Sequence, residues 1–537
     1  MTEDRLVREL SLLGDLLAIE GRPNSRWRSA AFHLAAKKLR TGKIVLPLPQ
    51  NPVEKEVVTA VTQLRANGSC QLFQTLSIPS SVAEFLQVPG IDLDMARQLY
   101  QEEIESLGDL EDAINEGTYA NPQIIKALKE YKNIEVDLFP HPKMRKLYQR
   151  LAEVFTEAGI KTEIAGSMRR WKPAVRNIDI VCEVYRPQQK NEILDILTKK
   201  LATHPKGNQD VIETTLDSTF AGIGLRVFLA QAKNKGAVKI FATGSRDHVL
   251  QLRHRFSEKQ LLLIRTGVFR NGHLIAGKNE REVYSCIGLP YHPPELREWD
   301  LQDRESLLVE KNHVDLHIHT NHGIGQPSID QVVRQAIQMK LEAIAICDRY
   351  GKIDNFNNYL KAVQQAKVKY ASFIKIFCSV EADIDLKGNI EVPNHPLLDY
   401  VTASILQNPQ FIAQNRLIKA MQRYPRIKLI AHPLGRRVAD TQLPPIEEWE
   451  DVFRTANSLG VALQINANPR KIDLPARLVR YAKRFGCKFS IDSDARYLSE
   501  IGNLTYGVKC AQRAALSPFD VVDLVAVENW CTHETKK

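Results

Sequence analysis

The chain has 537 residues, 44% apolar and 25% charged, with a formal net charge of +10. That length exceeds one ordinary domain, and the composition is that of a globular protein, not of a disordered, collagenous or disulfide-rich one. The excess of basic residues is mild and forms no basic tail, so any footprint for nucleic acid has to come from folded surfaces. Eight scattered cysteines form no Cys-x-x-Cys pair, which suits reduced thiols buried in cores. No apolar run reaches the roughly 20 residues of a membrane span, so no membrane partner is expected. The opening "MTEDRLVREL" has acids where a secretory signal has bases, and a cytoplasmic location is expected.

In chain order, residues 1–135 read as helical. "LVRELSLLGDLLAIE" repeats leucine at helical spacing, and "SRWRSAAFHLAAKKLR" is a basic amphipathic helix. "VAEFLQVPGIDLDMARQLYQ" reads as helix, tight turn, helix. Its "VPGI" looks like a helix-hairpin-helix turn, whose backbone amides receive a DNA phosphate. Asp92 and Asp94 follow at once and would repel that phosphate, so helix packing is the better reading of this turn. From about residue 136 the texture becomes α/β, with strands "TEIAG", "NIDIVCEVY" and "GLRVFLA", then "AVKIFATG". The stretch 291–311 is proline-rich and then charged, and reads as a linker. Residues 312–537 alternate strand and helix, which predicts a (β/α) barrel.

In "VDLHIHT", His317 and His319 are two apart on one strand and so share a face. Glu381, His432 and Asp494 follow later strands of the same half. Barrel strand ends converge on one mouth, and a His/His/Glu/His/Asp set there suits one divalent metal: zinc, manganese or iron.

The runs "DLHIHT", "AICDRYG", "SVEADID", "TASIL", "IAHPLGR" and "DSDAR" make residues 312–537 resemble a PHP phosphoesterase domain. That resemblance implies a distorted (β/α)7 barrel with three metals. The first-metal ligands match at His317, His319, Glu381 and Asp494. The second site keeps Glu381 and His432, but Leu406 stands where the family has a histidine. The three ligands of the third site fall at Ile324, Arg349 and Arg496, so that site is expected to be lost. The two arginines suit either a phosphate clamp or salt bridges sealing a dead cavity.

Residues 1–300 resemble a bacterial family X DNA polymerase, a family that often carries a C-terminal PHP domain. The shared runs are "GSMRR", "NIDIV", "GLRVFLA", "FATGSRDH", "IAGKNEREVY" and "GLPYHPPELRE". The implied order is a helical DNA-end-binding region (1–135), nucleotidyltransferase palm (136–235), thumb (236–290), linker (291–311) and PHP barrel (312–537). The resemblance assigns phosphate binding to Gly166, Ser167, Arg169 and Arg170, with Gly244 and Ser245 in the second turn. It also calls for three aspartates, because two Mg²⁺ ions and a triphosphate need dense negative ligands. Here the first falls at Asn177, the second is Asp179 and the third falls at Gly224. Glu183 or Asp217 would supply a carboxylate only from a shifted register. Two further departures are Val249, where an asparagine is expected, and the absence of a Gly-x-Gly turn near "LPLPQNPVEKEVVTAV".

Mg²⁺ binding in the palm is therefore doubtful. The expected protein is a degenerate family X polymerase with a PHP domain, binding DNA, another nucleic acid or a nucleotide, or scaffolding a protein partner. A working metal-dependent PHP nuclease or phosphoesterase is the alternative, and an active repair polymerase is the third reading.

Overall fold

The computed structural model describes residues 25–40, 51–67 and isolated positions before residue 139. From there it describes 139–532 except 187, 202, 208–210, 217–219, 221, 302–306, 407–412 and 436–445. The chain divides into two compact units, Met1–Asp137 and Leu138–Lys537.

In the first unit, α1 (Ser25–Arg40) and α2 (Pro52–Asn67) each bury one apolar stripe. Phe32, Ala36 and Leu39 meet Val57, Val61 and Leu64, and Leu6, Leu10, Leu13 and Leu17 join the same core. Arg28 forks onto Glu56 through two hydrogen bonds, of 2.9 and 2.5 Å. The turn at residues 88–91 lies outside the described residues apart from the buried Ile91, as does the stretch 41–50 before α2.

The second unit begins with α3 (His141–Glu157), which buries Met144, Leu147, Leu151 and Phe155 at three- and four-residue spacing. Behind it lies a five-stranded sheet built from β1 (Thr162–Ile164), β2 (Asn177–Glu183), β3 (Lys206–Gly207), β4 (Val211–Thr215) and β5 (Gly224–Ala230). Its order is β1-β2-β5-β4-β3, with β2 and β5 parallel and the other pairs antiparallel. Helix α4 (Lys235–Thr243) covers the sheet, and α5 (Arg246–Glu258) follows, N-capped by Ser245. A three-stranded sheet of β6 (Leu262–Ile264), β7 (Gly267–Arg270) and β8 (His273–Ala276) and the short α6 (Glu280–Ser285) complete this half.

The first part of the stretch expected to be a linker, residues 291–301, is instead packed down. Leu296 and Leu301 are buried, and Arg297 is fully buried between Glu280 and the faces of Tyr284 and Tyr291. Trp299 donates its indole N–H to the Arg513 carbonyl at 2.6 Å. Prolines end helices, but they also hold a strap in one extended path once aromatic anchors are present.

The last element is a seven-stranded parallel barrel: β9 (Val314–Ile318), β10 (Ala343–Arg349), β11 (Lys375–Asp383), β12 (Val401–Ser404), β13 (Ile427–Ile430), β14 (Ala462–Asn466) and β15 (Phe489–Asp492). A parallel bridge from Ile318 to Ala495 brings the ends together. The strands are buried on both faces, as their β-branched runs require when helices surround them. One end is stoppered by the helix Leu524–Thr532, whose Val527 and Trp530 join Val314, Leu316, Phe377 and Tyr400. Strand C-termini open at the other end.

Candidate functional site

Two polar sites lie in the second unit. In the palm, the parallel register sets Asn177 opposite Gly224 and Asp179 opposite Arg226. Gly224 thus stands where a third carboxylate would meet the first position: a Cβ there would lie 2.8 Å from Asn177 Oδ1. Glu183 is at the far end of β2, six residues or roughly 20 Å away, and it binds Lys235 at 2.8 Å. It cannot replace the missing acid. Asp217 lies outside the described residues.

Asp179 is buried and already held. Arg226 donates Nε to Oδ1 at 2.6 Å and a terminal nitrogen to Oδ2 at 2.9 Å. This is the two-pronged geometry in which Arg binds a carboxylate best. Gly166 is required beside it: its φ is +61°, and a Cβ would fall 1.8 Å from Asp179 Oδ2. The close approach of the Gly-Ser turn to the acid therefore depends on a missing side chain.

The arginines of "GSMRR" are also engaged. Arg169 grips Glu280 at 2.9 and 2.5 Å and donates to Thr243 Oγ1 at 2.6 Å. Burial alone would raise the Glu280 carboxyl, but its bond to Arg169 and the charge of Arg297 pull it down to about 2. Arg170 binds Glu298 at 2.5 Å and the Thr243 carbonyl. Both expected phosphate ligands thus brace the turn against the thumb and strap. Gly244 and Ser245 are joined by a cis peptide, and Ser245 Oγ bonds the Arg297 carbonyl and caps α5.

What remains open is a cleft of about 540 Å³ lined by Gly166, Ser167, Arg176, Asp179, Arg226, Arg253 and the 243–245 turn. That volume is in the range of small-ligand sites. Arg176 and Arg253 carry no ion pair among the described residues. Sequence reading had passed over both, although Arg176 immediately precedes the Asn-x-Asp run.

At the barrel mouth, His317, His319 and Glu381 converge, fully buried, with one donor atom from each within 4.8 Å of the others. His317 Nε2 and His319 Nε2 each lie 4.0 Å from Glu381 Oε2. His432 and Ser404 bond Glu381 Oε1, at 3.0 and 2.9 Å. Asp494 joins through His319, Nε2 to Oδ1, at 3.1 Å. His432 and Asp494 both have positive φ, a strained backbone that places side chains at functional mouths. Of the substituted positions, Arg349 bonds Glu381 Oε2 at 3.1 Å. Ile324, Leu406 and Arg496 are half-buried and add no acidic or imidazole donor.

Burial acts to raise the Glu381 carboxyl, but the hydrogen bond from His432 and the neighbouring imidazoles hold it well below the usual carboxylate range. Asp494 behaves likewise, with His319 and Lys471 outweighing burial. Lys471 reaches Asp494 Oδ2 at 2.5 Å and Asn466 reaches the same oxygen at 2.9 Å. Burial pushes the His317 imidazole down to about 3, so it is neutral. Its Nε2 is buried with no hydrogen-bond partner among the described residues.

An orphaned imidazole nitrogen facing a carboxylate and a second histidine fits one divalent cation. His317, His319 and Glu381 would hold it, with Asp494 beside them. The residues do not fit three, because Arg349 puts a guanidinium on the bridging carboxylate. A bound cation polarises a phosphoryl oxygen and acidifies water. Lys471, Gln464, Asn466 and Ser404 went unseen in the sequence. Period-two spacing in "ALQINAN", which puts Gln464 and Asn466 on one strand face, was the available signal.

A thumb-bearing palm joined to a histidine-mouthed barrel defines a class of protein, and the comparisons agree. Residues 239–298 match the DNA polymerase beta thumb, and residues 315–432 match the PHP domain. The chain is thus similar to family X polymerases that carry a PHP domain. It is 24% identical over 554 aligned residues to the DNA polymerase/3'-5' exonuclease PolX of Bacillus subtilis (strain 168), with 96% of each chain covered. Among the described residues, no helix is long and apolar enough to cross a membrane.

Proposed function

We propose that this protein binds the phosphates of DNA or of a nucleotide in the palm cleft without transferring a nucleotidyl group. The observation that carries this reading is the β2–β5 register, with Gly224 facing Asn177 and Arg226 clamped on Asp179. Two-metal phosphoryl transfer needs carboxylates at those positions. Here one acid is left, and a guanidinium neutralises it. The cleft keeps the charge that attracts phosphate, through Arg176 and Arg253, and lacks the charge that holds Mg²⁺. The relative's name joins a polymerase with an exonuclease; only the phosphate-binding half of the first activity is assigned to this palm.

The test is primer extension on gapped DNA with Mg²⁺ or Mn²⁺, alongside binding to the same DNA. Binding that weakens steeply with salt is expected, with no extension. Extension abolished by Asp179→Ala would overturn the reading. Asn177→Asp combined with Gly224→Asp asks whether only the acids are missing.

A second reading applies to the barrel, favoured by the converging His317, His319 and Glu381. It is a one-metal phosphoesterase site, with His432 and Asp494 supporting the ligands. Metal analysis of the purified protein should find about one ion per chain, and none would remove this reading. In the first reading the protein acts by what it holds; in the second the barrel acts as a hydrolase.

A further inference from the structure

Gln464 lies at the centre of β14, fully buried behind His317. Its Oε1 accepts the backbone N–H of His432 at 2.9 Å. Its Nε2 lies 3.0 Å from Asp492 Oδ2 and 2.9 Å from His317 Nδ1. A backbone N–H can only donate, so the oxygen of the amide is fixed on that side. Turning the amide over would set its NH₂ against the His432 N–H and its carbonyl against the Asp492 carboxyl. Nε2 therefore donates to His317, and His317 Nδ1 is the acceptor.

A neutral imidazole whose Nδ1 accepts carries its proton on Nε2. Nε2 is the nitrogen that faces His319 and Glu381, and it has no partner among the described residues. A histidine that ligates a metal normally has the reverse arrangement: its outer nitrogen donates to an acceptor, and the inner one offers a lone pair. Here the outer partner is a donor.

We propose that Gln464 is a positioning residue that holds His317 in the Nε2–H tautomer and so keeps the barrel's one-metal site weak. This rests on the one-metal reading of the barrel given above. The metal enters only by displacing a proton that Gln464 keeps in place, which separates the presence of the ligands from their readiness. Gln464→Glu presents an acceptor to Nδ1 and still leaves a carboxylate oxygen for the His432 N–H; its contact with Asp492, whose carboxyl burial raises to about 6, is then made through a proton on Asp492. It should convert the site to the ligating tautomer.

The test uses the full chain, purified metal-free, titrated with Zn²⁺ alone against a competing chelator. Gln464→Glu is expected to bind Zn²⁺ at least about 10-fold more tightly than the parent chain, the scale on which such supporting bonds act. Gln464→Met, which removes the donor and supplies no acceptor, is expected to gain less. The tautomer is read on the parent chain by ¹⁵N NMR of labelled histidine, assigned with His317→Gln, so the proposal stays testable if a variant fails to fold. A proton found on Nδ1 in the metal-free parent overturns the proposal. Equal Zn²⁺ affinity in the parent and Gln464→Glu overturns it too, and leaves the one-metal reading standing. If neither chain takes up Zn²⁺, the one-metal reading falls and the proposal with it.

Discussion

The palm and the barrel mouth both compensate their carboxylates with bases, in opposite ways. In the palm Asn177 and Gly224 face each other without a carboxylate, and the acid beside them, Asp179, is clasped by Arg226. At the barrel mouth the acids Glu381 and Asp494 remain, and Arg349 and Lys471 have been laid over them. Removing a carboxylate leaves a positive cleft suited to anions. Covering a carboxylate leaves a site whose negative charge is compensated, where a cation has to compete with the base.

That contrast can be broken experimentally, beginning with the clasps that hold the palm. Glu280 titrates near 2 in the folded chain against about 4.5 when unfolded. Its folded value is depressed, so its contribution is full above pH 4.5 and is lost as pH falls towards 2. A shift of that size in a buried group is worth roughly 3 kcal/mol. The melting temperature should fall over that window, and Glu280→Gln should flatten the fall. A pH-independent difference between the two chains would refute the role of the pair.

Arg226→Met leaves Asp179 buried and unpaired. It should destabilise the chain by about 2 kcal/mol, less than a fully buried pair because Arg226 is partly exposed, and should lower the melting temperature. Arg176→Ala with Arg253→Ala should weaken binding to gapped DNA by about tenfold and reduce the slope of log affinity against log salt by about one to two. Unchanged salt dependence would place the DNA elsewhere. The smallest effect is expected at the barrel mouth, where Arg349→Met should raise Zn²⁺ affinity by a few-fold, on the order of 1 kcal/mol. A loss of Zn²⁺ binding instead would mean that Arg349 supports the site.

Much of this was readable beforehand. Alternation of apolar strands with helices gave the barrel; strand period put His317 and His319 on one face, and the convergence of barrel strand ends brought Glu381 to them. That "NIDIV" and "GLRV" are neighbouring strands was implied by the resemblance; their parallel register was not. What was hidden were contacts between residues far apart in the chain. Arg169 and Arg170 look like phosphate ligands in "GSMRR" until Glu280 and Glu298, more than a hundred residues later, are seen to occupy them. The strap at 291–301 looked like a linker because proline and charge are common to both, and only burial of Arg297 separates them. Lys471 and Gln464 sit in no recognisable charge pattern, and their importance comes from which atoms they meet.

Trp171 closes the Gly-Ser turn with a positive φ and stacks on His141, with ring centroids 4.6 Å apart. Tyr506 of the barrel meets both rings edge-on at 6.0 Å, and the Lys509 ammonium lies over the indole at 5.3 Å. The indole is thus a built-in optical probe at the seam between the two halves. An anion pulling on the turn would change the environment of Trp171, and its emission would report on the palm from a position shared with the barrel.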